Sequence, residues 1–117
     1  MTTITEIASR LSSLCTELKF VDAYSELFSD HAESIDPIYK NEPLKGLAHL
    51  IERERQFLLT AEIHDIKVSE ALYAGSYFSV IISMDFTVKG ADRKKLEELC
   101  VYKVENGKIV SQQFFIG

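Results

Sequence analysis

Tryptophan is absent from the 117 residues, and proline, glycine and cysteine are sparse, at two, five and two. With so few prolines and glycines no stretch reads as a linker, and no repeat or low-complexity segment divides the chain, so a single domain over residues 1–117 is expected. Cys15 and Cys100 lie far apart and share no motif, which argues against a disulfide framework or a zinc site. Positive charge is also short. Thirteen Lys and Arg against eighteen Asp and Glu leave a net charge of −5, so nucleic acid is not an expected partner. Long apolar runs are missing too. The strongest candidate, around "YFSVIISMDF", is too short and too polar to span a bilayer. The start, "MTTITEIASR", lacks a basic segment followed by an apolar block, so no secretory leader is expected. A reduced, cytoplasmic protein without membrane contact is the simplest expectation.

What is present suits a soluble globular chain: 46% hydrophobic and 26% charged residues. At this length, folding hides roughly two thirds of the unfolded surface, enough for a core without staples. Thr3 and Glu6 form a capping box ahead of Ile4, Ile7, Ala8, Leu11, Leu14, Cys15 and Leu18, which recur at helical spacing. A shorter second helix carries Phe20, Tyr24, Leu27 and Phe28 on one face, and "SDHAESIDPIYKNEP" reads as irregular or as a short strand. A third helix is expected from Pro43 or Leu44 to about Thr60, burying Leu47, Leu50, Ile51, Phe57 and Leu58.

From Glu62 onward the period changes to two. "IHDIKVSEALY", "SYFSVIISMDFTV", "KKLEELCVYKV" and "GKIVSQQFFI" are rich in β-branched and aromatic residues, and Gly75, Gly90 and Asn106-Gly107 punctuate them. In the second of these strands Phe78, Val80, Ile82, Met84, Phe86 and Val88 share one face. Asn-Gly is the strongest short hairpin signal, since a type I′ turn needs two residues with positive φ. A two-residue loop there pairs Glu105 with Lys108, Val101 with Gln112 and Leu99 with Phe114, and cross-strand partners share a face. Helices followed by such a meander imply an α+β fold: a curled antiparallel sheet around N-terminal helices, with a cone-shaped cavity.

The order of these parts, with "LFSDHAESIDP", "PLKGLAHLIERERQF" and "CVYKVENGKIVSQQFFIG", resembles the nuclear transport factor 2-like superfamily over nearly the whole chain. Within it the chain resembles SnoaL-like and ketosteroid-isomerase-like proteins, which have the cystatin-like α+β barrel. The superfamily holds isomerases, cyclases, dehydratases and hydrolases that need no cofactor, and also non-catalytic members, so fold alone does not give function.

The resemblance implies that Asp36, in "SIDP", stands where ketosteroid isomerases keep their general base. A carboxylate poorly solvated in an apolar cavity is a better base toward a carbon acid. Asp before Pro also starts turns in ordinary solvated loops. The isomerases' oxyanion donors are a Tyr on the first helix and an Asp before the Asn-Gly turn. Ser12 and Leu99 stand at these positions, so steroid isomerisation is not expected.

The resemblance places the patch of Leu99, Val101, Gln112 and Phe114 inside the cavity, together with Met84. Gln112 would be a rare polar group there; a strand Gln is ordinarily exposed or at an interface. Glu54 lies on the apolar face of the third helix, either lining the cavity or edging the stripe. Tyr24 and Tyr39 could each offer a phenol, or be amphipathic core residues. His31, His49 and His64 have no metal-ligand spacing, and no phosphate loop or nucleophile elbow occurs.

Two functional classes stay open: a cofactor-independent acid/base enzyme using Asp36 on a small, mostly apolar molecule, and a non-catalytic ligand-binding or dimerisation domain. A homodimer through the outer sheet face is expected in either case, with Tyr77, Ile81, Cys100, Tyr102, Val104, Ile109 and Phe115 as its apolar patch.

Overall fold

The computed structural model describes residues 2–117. Helix α1 (Ile4–Thr16) opens on the capping box: Thr3 Oγ1 accepts from Glu6 N at 3.2 Å, and Glu6 Oε1 accepts from Thr3 N at 3.4 Å. Its apolar stripe, Ile7, Ala8, Leu11, Leu14 and Cys15, is buried. The helix closes in a Schellman arrangement, with Lys19 N–H donating to Leu14 O at 2.8 Å and Leu18 N–H to Cys15 O at 3.0 Å. Leu18 takes the left-handed position at φ 62°, where glycine is the unstrained residue.

Helix α2 (Phe20–Leu27) follows, then strand β1 (Phe28–Ile35), so Phe28 belongs to the sheet. A single 3-10 turn, Pro37–Tyr39, leads to β2 (Leu44–Lys45) and helix α3 (Leu47–Thr60). Helix α3 begins later than proline placement suggests. Leu44 and Lys45 pair with Ser34 and Glu33 instead, and Gly46, at φ 101°, turns the chain into the helix while its N–H donates to Ala32 O at 2.9 Å. Of the residues expected to be buried on α3, Leu50 is; Leu47, Ile51, Phe57 and Leu58 are half-buried.

Strands β3 (Ala61–Val68), β4 (Leu72–Ala74), β5 (Tyr77–Val88), β6 (Lys94–Glu105) and β7 (Lys108–Ile116) complete the chain. The sheet order is β2-β1-β7-β6-β5-β3, with β4 also on β5. The α+β architecture expected from sequence is present: three helices against a curled, unclosed sheet. The sheet is mixed, because β1 runs parallel to β7 while every other pairing is antiparallel. β1 and β7 are far apart in the chain, with α3 and four strands between β2 and β7, so no hairpin has to join them and a parallel pairing is open to them. On β5, Phe78, Val80, Ile82 and Phe86 face the core as expected.

The β6–β7 hairpin departs from its expected register. Glu105 faces Lys108 and Val104 faces Ile109, but then Lys103 faces Ser111, and the register shift leaves Val110 as the extra residue of a bulge. A one-residue shift reverses every later face. Tyr102 therefore faces Gln112, Cys100 faces Phe114, Val101 faces Gln113 and Leu99 faces Phe115. Cys100, Tyr102 and Ile109, expected on the outer face, are buried inside, and Leu99 is outside.

Relieving the left-handed strain at a half-exposed side chain should stabilise the fold. Leu18→Gly is expected to gain roughly 0.5–1 kcal/mol in urea unfolding; equal or lower stability would show that Leu18 contributes more by packing than its backbone costs.

Candidate functional site

The inner face of the curled sheet and helices α1, α2 and α3 line a cavity of about 290 Å³. Its walls are largely apolar, and its polar groups arrive from separate elements. Strand β1 ends at Ile35, and Asp36 caps the 3-10 turn: its Oδ1 accepts from Ile38 N at 2.9 Å. Asp36 is only 8% exposed and lines the cavity. It is therefore at once a turn-forming residue and an enclosed carboxylate, and Pro37, which fixes the first residue of the turn, is the reason the two coincide.

Behind Asp36 runs a buried polar chain. Arg53 Nη2 on α3 donates to Ser34 Oγ on β1 at 3.0 Å. Gln112 Nε2 on β7 donates to the same oxygen at 3.0 Å and to Tyr24 Oη on α2 at 2.8 Å. The Arg53 guanidinium also lies 4.2 Å from the centre of the Tyr39 ring. Ser34 and Gln112 are fully buried, so this chain would be costly if half made; complete, it ties four elements together. The strand glutamine is an interior group.

Two further carboxylates line the cavity, Glu54 on α3 and Glu98 on β6. Burial pushes Glu54 up to about 7; the Arg53 charge opposes this and the Asp36 charge adds to it. Burial likewise pushes Glu98 up to about 7, reinforced by Asp36 and Glu54. Burial also raises the Tyr24 and Tyr102 phenols, so both stay protonated at neutral pH. The Cys15 thiol is pushed up to about 12 by burial, which leaves it inert as a nucleophile. Among the described residues, no group of three or more His, Cys, Asp and Glu is placed to hold a metal ion.

Of the positions singled out in the sequence, Tyr24, Tyr39, Glu54, Met84, Gln112 and Phe114 line this cavity with Asp36. Leu99 and Val101 do not. The pairing of β6 with β5 puts Tyr102 and Cys100 beside buried Phe78 and Val80, which leaves Leu99 and Val101 on the outer face, where Leu99 is 42% exposed; the bulge at Val110 brings Gln112 and Phe114 to the inner side. Glu98, Tyr102, Ser34 and Arg53 are the lining or supporting groups that sequence patterning missed. Glu98 sits in the charged run "KKLEELC", which looks solvated, and no feature of that run distinguishes it from Glu97.

The geometry agrees with the comparisons to known proteins. A family model of the SnoaL-like domain matches residues 1–116. Solved structures that share the fold include the following three. A SnoaL-like protein from Mesorhizobium loti, assigned as a polyketide cyclase, superposes with a TM-score of 0.88 at 24% identity, over 97% of this chain and 99% of that one. A protein of ketosteroid isomerase-like fold from Catenulispora acidiphila, solved with trimethylamine, gives 0.78 at 16% identity, over 97% and 86%. An NTF2-like protein of unknown function from Burkholderia xenovorans gives 0.76 at 15%, over 96% and 80%. No curated protein matches the chain. The match over nearly the full length makes the chain a member of the SnoaL-like domain family. No helix is long and apolar enough to cross a membrane.

Glu54 supplies a pH test. Its ionisation is opposed in the folded state, so its contribution to stability is intact below the ordinary carboxylate range near 4.5 and is lost as pH rises toward about 7. Glu54→Gln should melt with the parent at pH 4 and exceed it at pH 8 by about 2 kcal/mol. An equal melt at pH 8 would show that the ionised carboxylate is not desolvated.

Proposed function

We propose that the cavity is a small-molecule acid/base site that works without a cofactor, with Asp36 as the proton acceptor. The carrying observation is the enclosure of Asp36 in a largely apolar cavity with a second carboxylate, Glu54, held near neutrality. One oxygen of Asp36 is anchored by Ile38 N–H, which fixes the group and leaves the other for a substrate. Removing a proton from carbon and returning it to a neighbouring atom needs one base and one group that exchanges protons at the working pH, and positioned groups of this kind contribute roughly 10²–10⁴-fold each. Asp36 and Glu54 fit those duties. Family membership supports the class of chemistry, and the cavity volume restricts the substrate to a small molecule.

Deuterium exchange into the α-positions of small cyclic ketones, followed by proton NMR in heavy water, tests the base. Parent protein should accelerate exchange, and Asp36→Asn should lower the rate at least about 100-fold while keeping the cap to Ile38. Equal rates for the two proteins would remove Asp36 from the role.

We further propose a homodimer through the outer sheet face. Ile81 faces Leu99 and Leu99 faces Phe115, so three large apolar side chains lie side by side across β5, β6 and β7, each more than two-fifths exposed. A contiguous apolar row in water marks an interface, and one self-matching face pairs about a two-fold axis. Tyr102 is interior and is no probe of this face. Leu99→Glu should convert a dimer into a monomer by light scattering at micromolar concentration; a parent that elutes with the mass of one chain overturns the dimer.

A further inference from the structure

Taking a proton from carbon leaves an electron pair behind, and that pair needs an acceptor held by the protein. In a carbonyl compound the acceptor is the carbonyl oxygen, and a donor must stand beside it in the same cavity as the base. Leu99 has no donor and faces outward, and Ser12 is not among the lining residues. Arg53 is. It lines the cavity from α3, and its side chain makes one hydrogen bond among the described residues, from Nη2 to Ser34 Oγ at 3.0 Å. Its guanidinium carbon lies 4.2 Å from the centre of the Tyr39 ring. No ion pair among the described residues includes it, although Asp36, Glu54 and Glu98 line the same space. Most of its N–H groups are thus uncommitted, and a guanidinium keeps its charge at any working pH.

Strand β1 sets the distance from base to donor. Ala32 and Ser34 are buried and alternate with half-buried Glu33 and Ile35, and Asp36 continues the alternation in extended backbone at φ −137° and ψ 124°. Ser34 and Asp36 therefore face the same side, roughly 6.6 Å apart, two strand rises of about 3.3 Å. Arg53 is fastened at Ser34, which leaves room between it and Asp36 for a carbonyl group and the carbon next to it. The oxygen that holds Arg53 is itself held: Gln112 lies level with Ser34 across β1 and β7, and its Nε2 donates to the same Oγ at 3.0 Å. Lys94, the other basic residue of the lining, is exposed, and its Nζ lies 6.0 Å from the centre of the Phe86 ring on β5.

From the placement of an unpaired Arg53 on the same side of β1 as Asp36, we infer that Arg53 is a catalytic residue that holds the substrate oxygen, and that the substrate is a small neutral ketone or aldehyde with a C–H bond beside its carbonyl. The inference rests on Asp36 being the proton acceptor of a small-molecule site. The C–H bond breaks and its proton goes to the free oxygen of Asp36. The electron pair of that bond forms a C=C bond, and the carbonyl π pair moves onto the oxygen, where the Arg53 N–H groups donate. Return of a proton to carbon restores the carbonyl, so no other reactant is consumed. The total charge of the cavity is unchanged by the step; one negative charge moves from Asp36 to an oxygen against Arg53. The guanidinium thus acts most strongly when the charge has moved, which is the condition for accelerating the step. A substrate with a fixed negative charge would instead add to that of three carboxylates, which is why a neutral carbonyl compound fits.

Asp36→Asn places a neutral amide where the protonated base stands after transfer, so it is the background in which to probe the oxygen site. The probe is 4-nitrophenol, whose neutral and anionic forms absorb at different wavelengths. Bound to Asp36→Asn, it should ionise more readily than in water, its anion binding at least about tenfold tighter than its neutral form. Adding Arg53→Met should abolish that preference while the neutral form still binds, which reports an intact cavity in the same variant; adding Lys94→Met should leave it in place. No preference for the anion, a preference that survives Arg53→Met, or one lost with Lys94→Met overturns the assignment. Failure of both forms to bind overturns it and also removes support from the small-molecule site. In the otherwise unchanged protein, Arg53→Met should slow deuterium exchange into cyclopentanone roughly 100-fold, with Arg53→Lys in between because it keeps the charge without the fork. Exchange lost in Asp36→Asn but unchanged in Arg53→Met keeps the base and overturns Arg53; no exchange by the parent overturns the base and the step that depends on it.

Discussion

A single unpaired residue in the last hairpin determines which side of β7 lines the cavity. The Asn106-Gly107 turn sets the strands in register, and the bulge at Val110 then displaces β7 by one position against β6. Because side chains alternate across a sheet, that displacement brings Tyr102 and Cys100 to the same side as Gln112 and Phe114. Without it β7 would turn Ser111 and Gln113 inward instead, while the inner face of β6 would be unchanged, since it is set by the pairing of Tyr102, Cys100 and Glu98 with Phe78, Val80 and Ile82 of β5. The bulge thus brings an amide and an aromatic ring to the side that already carries a phenol and a carboxylate. Bulges beside functional cavities commonly re-aim side chains in this way.

The buried chain from Arg53 through Ser34 and Gln112 to Tyr24 depends on that arrangement, since it needs Gln112 inside. It does two things. It satisfies four polar side chains that would otherwise be costly in a dry interior, and it fastens α2, α3, β1 and β7 to one another around the cavity. Arg53, which lines the cavity with Lys94, donates to Ser34 and lies over the Tyr39 ring, and it forms no ion pair with Glu54. The raised carboxylates follow from that division: burial acts on them, and the nearby positive charge only moderates it.

Most of the architecture was legible because local signals agreed with one another. The capping box, the apolar stripe of α1, the alternation in β5 and the Asn-Gly turn each point to one element and one face. The boundaries that moved did so for tertiary reasons: Leu44 and Lys45 gave up a helix start to pair with β1. The site was legible to the extent that it was built on such elements. Asp36 stood out through Pro37, and Gln112 through its place in β7. The β6 residues did not, because "LEELCVYKV" carries apolar side chains on both faces and either face could be the inner one. Nothing local to the strand records the bulge, which is settled by how the hairpin packs on the helices. Glu98 and Arg53 were hidden for a related reason, since a charged residue in a charged run looks solvated until the sheet curls over it.

The two ends of the sheet are built differently from its face. One edge is β2, only two residues long, and the other is formed by the three-residue β4 and by β3, which carries Glu62, Asp65 and Lys67 on exposed positions and has an irregular register near His64. A short edge and a charged, bulged one are poor templates for a further strand. Lateral extension of the sheet, the route to open-ended fibres, is therefore disfavoured at both margins. The proposed contact between copies uses the broad outer face instead, where a self-matching encounter would cover the apolar surface in one step. The edges thus make any self-association of this fold finite.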